Sequence, residues 1–570
     1  MHDSDIHTVH MKRVVVFKYP ADFPSFPSLH HTPLSLLSHT EHTMDAPVIV
    51  GGEESLWRLI GFLLAAIVAL AWAWRVVDWV WSSPRRKERI LRQQGFKGNS
   101  YTLMRLMFGD IKENSMVYAE ALGKAINIHD PAAPRVMPFV HKTLHKYGKK
   151  SYLWVGPRPR VLIMDPELMK TVMTKHNTYK KNFKVTNHIV QIIVTGLLGL
   201  EGKIWSKSRT TLNPVFQLEK LKKMIPAFQV SCDEILSEWK NLVLTKDEES
   251  CVLDVFPYLE SLTSKVVSRT LFATDYSKDK NLYVVLKEMA YLANQTTRMA
   301  DLPGAKYLPT ETNRRVKQIM SEVRKRLTAL IKERAKEISA GQNVEDNFFD
   351  VLLNSELAEA RGIKNMNDLF GQVKLFYFAG YESTANLLVW TMILLGIHQD
   401  WQERARQEAF QVFGQRKPDY EGLSQLKVIP MILNEVLRLY PPVVELSRLV
   451  EEETRLGEYT IPADTLLMLP IVILHRDPEY WGEDANEFKP DRFAEGVLKA
   501  TNGRPAFFPF GWGPRVCIGQ NYSLMEAKLV LSNILRTFSF ELSPTYTHAP
   551  YVVFTVQPQH GAPLILRSLK

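Results

Sequence analysis

The stretch FFPFGWGPRVCIG, residues 507–519, surrounds one cysteine with glycines, a proline, an arginine and aromatics. Gly511, Gly513 and Gly519 permit tight turns and the close approach of a flat ligand, because a residue without Cβ leaves its backbone bare. The segment that follows, NYSLMEAKLVLSNILRTF, puts Leu524, Leu531, Ile534, Leu535 and Phe538 on one helical stripe. Cys517 is therefore expected at or beside a helix N-terminus, where the positive helix end and free N–H groups favour thiolate over thiol. Such a thiolate has three possible uses: nucleophile, redox thiol or axial metal ligand. Inert core cysteine is the alternative.

Moving outward, MILNEVLRLYPPVV, residues 431–444, carries Glu435 and Arg438 three apart on a helix that ends at Tyr440-Pro441-Pro442. An exposed pair of this kind contributes little. On an otherwise apolar helix it is expected to be buried and to need further partners. Arg492 lies in the aromatic loop FKPDRF, residues 488–493. NMNDLFGQVKLFYFAGYESTANLLVWTMILLG, residues 365–396, is apolar nearly all round, as a helix crossing a protein core would be. Gln372, Lys374, Glu382, Ser383, Thr384 and Asn386 interrupt it and exclude a membrane span. In its middle, AGYEST joins small residues, which allow close approach to the backbone, to an acid and two hydroxyls able to satisfy carbonyls or hold water.

Helical periods dominate elsewhere: residues 313–339 put Val316, Ile319, Met320, Val323, Leu327, Leu330 and Ile331 on one stripe. RVLIM, TLLMLPIVIL and YVVFTVQP read as short strands, so the fold class is mainly α with small β-sheets. Residues 1–43 show no sustained period and are expected to be a disordered or non-native extension. Residues 44–82 hold an apolar run, about 59–81, of membrane-spanning length, in which Arg75 and Asp78 can face each other or snorkel. Arg85, Arg86, Lys87, Arg89 and Arg92 form a basic flank that places the rest of the chain on the cytosolic side. Residues 83–135 read as a basic linker and the start of the catalytic domain, and 136–570 as its body.

The chain has 570 residues, 45% hydrophobic and 23% charged, which is an ordinary globular composition. Three scattered cysteines exclude a disulfide framework, and no zinc spacing occurs. The net charge of +10 is dispersed along the chain and comes with no nucleic-acid motif, so nucleic acid is excluded as a partner.

Together these residues resemble the cytochrome P450 superfamily of heme-thiolate monooxygenases. FGWGPRVCIG matches its heme-binding signature, Trp205-Ser206-Lys207-Ser208-Arg209 its W-x-x-x-R helix, AGYEST its oxygen-activation motif, Glu435 to Arg438 its E-x-x-R pair and Pro490-Asp491-Arg492-Phe493 its P-E-R-F loop. The likeness runs from about residue 85 to 570. The wording LRQQGFKGNSY, LFYFAGYEST and FFPFGWGPRVCIGQN is similar to the plant membrane-bound group that contains secologanin synthase.

The resemblance implies a P450 fold behind a single N-terminal transmembrane helix, with heme b (iron protoporphyrin IX) as cofactor and Cys517 as its axial thiolate. It implies that Trp205, Arg209, Arg448 and Arg515 hold the propionates. Phe510, Gly513 and Gly519 would shape the loop under the heme, and Glu435, Arg438 and Arg492 would form a structural triad. Glu382 and Ser383 would pass protons through water to the dioxygen being split, with Thr384 as the rival alcohol. Serine in place of the family's usual threonine implies leakier coupling.

The chain lacks a dinucleotide turn, so electrons are expected from NADPH through a separate reductase. That partner would dock on the cysteine side near Lys203, Lys207 and Lys528 in the endoplasmic reticulum membrane. The implied reaction inserts one oxygen atom from dioxygen into a lipophilic small molecule, such as a terpenoid, steroid, fatty acid or xenobiotic. The rival readings are a heme-thiolate isomerase or dehydratase, against which Glu382-Ser383 argues, and a non-catalytic heme-binding membrane protein. By the same analogy the pocket draws on residues 182–200, 376–380, 443–447 and 552–557.

Overall fold

A computed structural model describes residues 51–102, 110–181, 195–244, 250–273, 284–292, 308–339, 348–353 and 366–569. The expected extension at 1–43 and residues 182–194 of the expected pocket lie outside them. The chain divides into two units, 1–70 and 71–570.

In the first unit the described residues are helical, within a helix Gly51–Val77. Trp57, Phe62 and Leu70 are 69%, 77% and 70% exposed, an arrangement that suits lipid and not water. This run is the one helix among the described residues that is long and apolar enough to cross a membrane.

The second unit continues through a π-helical turn, Asp78–Ser82, into the helix Ser83–Gln93. Asp78 pairs with Arg86. Its two oxygens accept from the two terminal nitrogens of Arg86 at 2.9 and 3.2 Å, a fork-to-fork geometry that planar guanidinium favours. The basic flank is partly spent on folding: Lys87 pairs with Asp464, Arg92 with Glu88, and Arg85 covers Trp81.

The strands are short: β1 (Lys97–Gly98), β2 (Ser151–Val155), β3 (Arg158–Leu162), β4 (Tyr179–Lys180), β5 (Ser250–Asp254), β6 (Leu446–Val450), β7 (Thr454–Leu456), β8 (Tyr459–Ile461), β9 (Thr465–Leu469), β10 (Phe538–Leu542), β11 (Pro550–Val552), β12 (Val556–Pro558) and β13 (Pro563–Ser568). They form a six-stranded sheet ordered β1-β2-β3-β9-β6-β4, a three-stranded sheet β10-β13-β5 and two hairpins, β7-β8 and β11-β12. TLLMLPIVIL, expected as one strand, is a strand only to Leu469. Pro470 has no N–H for the ladder, and Ile471–Leu474 turns into a short helix whose Leu474 N–H bonds the Pro470 carbonyl.

Helices carry most of the core. Met366–Ile397 crosses it, with Ala385, Leu388, Val389, Trp390 and Ile393 fully buried. On the helix Glu311–Ser339 the apolar stripe faces inward, Val316, Ile319, Val323, Leu327 and Ile331 being buried and Met320 and Leu330 half-buried. The crossing with helix Phe256–Leu271 needs Gly380: a Cβ there would stand 2.9 Å from Cγ2 of Val267. This glycine serves helix packing as well as lining the cavity described next.

Candidate active site

The 507–519 stretch folds as a tightly bonded loop. Phe508 N–H donates to His475 Nε2 at 2.9 Å, Gly511 N–H to the Phe508 carbonyl at 3.0 Å, and Cys517 N–H to the Phe510 carbonyl at 2.9 Å. Gly511 and Gly513 sit at φ of 73° and 71°, where a side chain is strained, and a Cβ on Gly513 would press on the Met173 carbonyl at 3.1 Å. Gly519 has open space where its Cβ would be. It is the N-cap of the helix Gln520–Thr537, so Cys517 lies two residues before that cap, beside the helix start as expected.

The loop floors a cavity of about 370 Å³ lined by Phe510, Gly519 and Cys517 below and by Ala379, Gly380, Glu382, Ser383 and Thr384 of the long helix. Cys517 is accessible only in the sense that it faces this space; protein surrounds it. Burial pushes its thiol up, against the lowering effects of the Gly519 N–H, Arg209 and Lys181. This corrects the expectation that the helix end favours the thiolate: in the chain alone desolvation outweighs it. A coordinating metal deprotonates a thiol outright, so a bound cation would reverse the balance.

At one edge the cavity gathers cations. Arg515 stacks its guanidinium 4.3 Å from the Trp205 ring, which also meets His176 at 4.9 Å. Arg515 bonds the Leu200 carbonyl and pairs with Glu201, whose other oxygen accepts from the Lys181 N–H. Arg448, from β6, is 3% exposed. The Nε atoms of Arg448 and Arg515 are both buried without a partner. Burial lowers Lys181 to about 7 and Arg448 to about 10. Arg448, Arg515 and the partly charged Lys181 thus share one carboxylate, Glu201, and the edge is left short of negative charge. A flat group bearing two carboxylates, as heme does, fits this deficit and the open space at Gly519. Arg209 is turned to the loop, donating to the Val516 carbonyl and to Asn213 Oδ1, both at 2.8 Å.

On the long helix, Glu382 is 7% exposed and its Oε1 accepts from Thr555 Oγ1 at 2.6 Å. Burial raises its carboxyl to about 7, with Glu260 adding to the rise and Thr555 and Lys287 opposing it. Ser383 donates to the Ala379 carbonyl at 2.8 Å, the backbone bond typical of a hydroxyl within a helix. Thr384, 1% exposed, bonds Ser523 Oγ at 2.9 Å and so ties this helix to the one after Cys517.

Glu435 and Arg438 are both fully buried and meet through two bonds of 2.7 Å. Arg492 Nε donates to Glu435 Oε1 at 3.2 Å, so the three residues expected together are together. Arg438 also donates to the carbonyls of His475 and Glu487 at 2.9 Å each and to that of Ala485. Burial beside Arg438 lowers His475 to about 3, so its ring is neutral and Nε2 is free to accept from Phe508. The ion cluster is thereby linked to the start of the cysteine loop through one histidine.

The residues that sequence reading missed are the connectors: Lys181, Glu201, His475 and Thr555. Glu201 stands four residues before Trp205, and Thr555 lies inside a pocket-forming stretch, but neither position carries a motif of its own.

A family model described as Cytochrome P450 matches residues 122–559. Cytochrome P450 72A397 of Kalopanax septemlobus is 50% identical over 504 residues, covering 87% of this chain and 96% of the relative. 7-Deoxyloganic acid hydroxylase of Catharanthus roseus is 46% identical over 525 residues, 90% of this chain and 100% of the relative. Secologanin synthase 1 of the same plant is 44% identical over 524 residues, covering 91% and 99%.

Proposed function

Because the chain belongs to the cytochrome P450 family and is a heme monooxygenase, we propose that it hydroxylates a C–H bond of a lipophilic small molecule of terpenoid type. In this reading, electrons come from NADPH through a separate reductase in the endoplasmic reticulum membrane. The observation that carries the reading is one cavity holding Cys517 in its floor and Glu382 and Ser383 in its wall.

When bound, heme supplies the activation of dioxygen, with the cysteine thiolate as electron donor to iron. Cys517 is the residue that would hold the iron. Arg448, Arg515 and Trp205 are assigned to the propionates, where two carboxylates would complete the charge of the cationic edge, and Arg209 braces the loop at Val516. Phe510, Gly513 and Gly519 shape the floor. Glu435, Arg438 and Arg492 fix the loop through His475.

Glu382, held near neutrality by burial, is suited to take up and release a proton at working pH. Ser383 is the better relay alcohol, since it is half-buried on the cavity wall whereas Thr384 is buried and tied to Ser523. Phe376, Phe378, Leu197, Val443 and Phe554 give the substrate an apolar surround that excludes water from the transfer. Two relatives named for 7-deoxyloganic acid and secologanin favour a terpenoid over the other lipophilic classes. Exposed Lys203 and Lys207 offer the reductase a positive face.

The test is reconstitution of the heme-loaded chain with reductase, NADPH, isotope-labelled dioxygen and a plant terpenoid extract. Products heavier by one labelled oxygen, absent without NADPH, are expected. NADPH-independent rearrangement of a peroxide would overturn the reading in favour of an isomerase.

A further inference from the structure

The hairpin β11-β12 is pinned along both arms. Arg135 holds the Pro550 carbonyl at 3.0 Å, and Tyr118 holds that of Val552 at 3.3 Å. Trp390 Nε1 holds the Val556 carbonyl at 3.0 Å, and the Val556 N–H bonds Pro442. Between the arms, Phe554 and Thr555 have different duties. Phe554 lines the cavity and meets Phe378 edge-on at 5.4 Å. Thr555, the next residue, is 7% exposed and bonded into the long helix.

Its bonds have a fixed direction. Asn386 Nδ2 donates to Thr555 Oγ1 at 2.8 Å and to the Glu382 carbonyl at 3.0 Å. The single hydroxyl hydrogen of Thr555 is given to Glu382 Oε1 at 2.6 Å.

We infer that Thr555 is a positioning residue for Glu382, and that the turn it shares with Phe554 couples what fills the cavity to the acid at the cavity wall. A molecule that displaces Phe554 moves the adjacent backbone, and Thr555 carries that movement to Glu382 through its hydroxyl and its backbone N–H. With the bond made, Glu382 is held in one rotamer and its charged form is favoured; with it broken, the carboxyl is left buried with less support and takes up a proton. The other charged groups acting on Glu382 are Glu260 of helix Phe256–Leu271, itself 2% exposed, and Lys287, which pairs with Glu260 at 2.6 Å. Glu260 also acts on Tyr551 of β11.

The experiment uses the heme-loaded full chain and follows the protonated carboxyl stretch by infrared difference spectroscopy against pH. The band is assigned by its loss in Glu382→Gln. Thr555→Val, which keeps the shape and removes the donor, is expected to raise the midpoint by about one to two pH units. Thr555→Ser is expected to restore it, which a merely structural role for the threonine methyl would not do. Phe554→Ala is expected to shift the midpoint in the parent chain and to shift it less in Thr555→Val, where only the backbone N–H remains, the non-additivity of a shared route. An unmoved midpoint in Thr555→Val, or a Phe554→Ala shift that persists unchanged in that background, overturns the inference.

The consequence for turnover rests on the relay role proposed for Glu382. The titration needs no turnover, so the two fail separately: a moved midpoint with unchanged peroxide release per NADPH supports the clamp and refutes the relay.

Discussion

At Glu526 the fold buries a carboxyl completely with neither oxygen hydrogen-bonded, nine residues after Cys517. Burial raises it well above its usual value of 4.5, so the folded chain keeps a proton that the unfolded chain gives up. The sign follows: the contribution is fully present below about pH 4.5 and is lost as pH rises toward the folded value, by up to ~1.4 kcal/mol per pH unit. Glu526→Gln is expected to flatten this slope. Urea midpoints at pH 5 and pH 8 should fall further apart in the parent than in the variant; equal falls would show Glu526 ionised in the fold. Arg438 shows the opposite economy, a buried charge with every neighbour in place. Arg438→Ala leaves Glu435 in the core with only Arg492 and the Lys489 N–H as partners and should cost about 3–5 kcal/mol, read as lower thermal stability and weaker heme retention. Cys517→Ala should abolish the thiolate-type shift of the Soret band in the reduced carbon monoxide complex, and a retained shift would refute the ligand. Cys517, Glu382, Glu435, Arg438 and Arg492 are legible in the sequence because each sits in a spaced pattern. Glu526 is not, because the helix Gln520–Thr537 buries Tyr522, Met525, Ala527, Leu529 and Val530 on nearly every side, so no period marks an inward acid.

Among the elements, the long helix Met366–Ile397 is readable from its all-round apolarity, whereas its partner is not, since nothing in AGYEST names Val267. Small residues there suggest close approach without saying what approaches. Gly380→Ala tests the packing. Alanine gains about 0.5–1 kcal/mol of helix preference, but its Cβ meets a β-branched side chain that cannot swing away, and overpacking costs about 1–3 kcal/mol. The net expectation is a lower melting temperature, recovered in Gly380→Ala/Val267→Ala, where the crowding methyl is gone. A melting temperature raised by Gly380→Ala alone would show that the helices have room to part. The same limit explains TLLMLPIVIL: β-branched and aliphatic residues suit strand and buried helix alike, and the missing N–H of Pro470 decides where one becomes the other. Thr555 is hidden for a related reason, because a three-residue tip between β11 and β12 has no periodicity from which to read its partner across the fold.

For the whole molecule, the exposed apolar helix and the folded body suit different solvents. Residues 71–570 bury a core and close the catalytic cavity with their own contacts, down to Tyr101 bonding the Val80 carbonyl at 2.6 Å. The described residues of the first unit instead leave apolar side chains outward, and an 18-residue window of the helix beginning at Trp57 has none of its length buried. Water would make that exposure costly at about 25 cal/mol per Å², and a bilayer removes the cost. Deleting residues 1–70 should therefore leave the carbon monoxide Soret band intact while releasing the chain from membranes under an alkaline carbonate wash that the full chain withstands. Trp72 and Trp74 remain 70% exposed in the shortened chain, so weak, wash-sensitive adhesion is compatible with the expectation. Retention equal to that of the full chain would place the principal membrane contact on the catalytic unit. Loss of the Soret band would show that the first unit supports the heme site, although no bond described in that site draws on it.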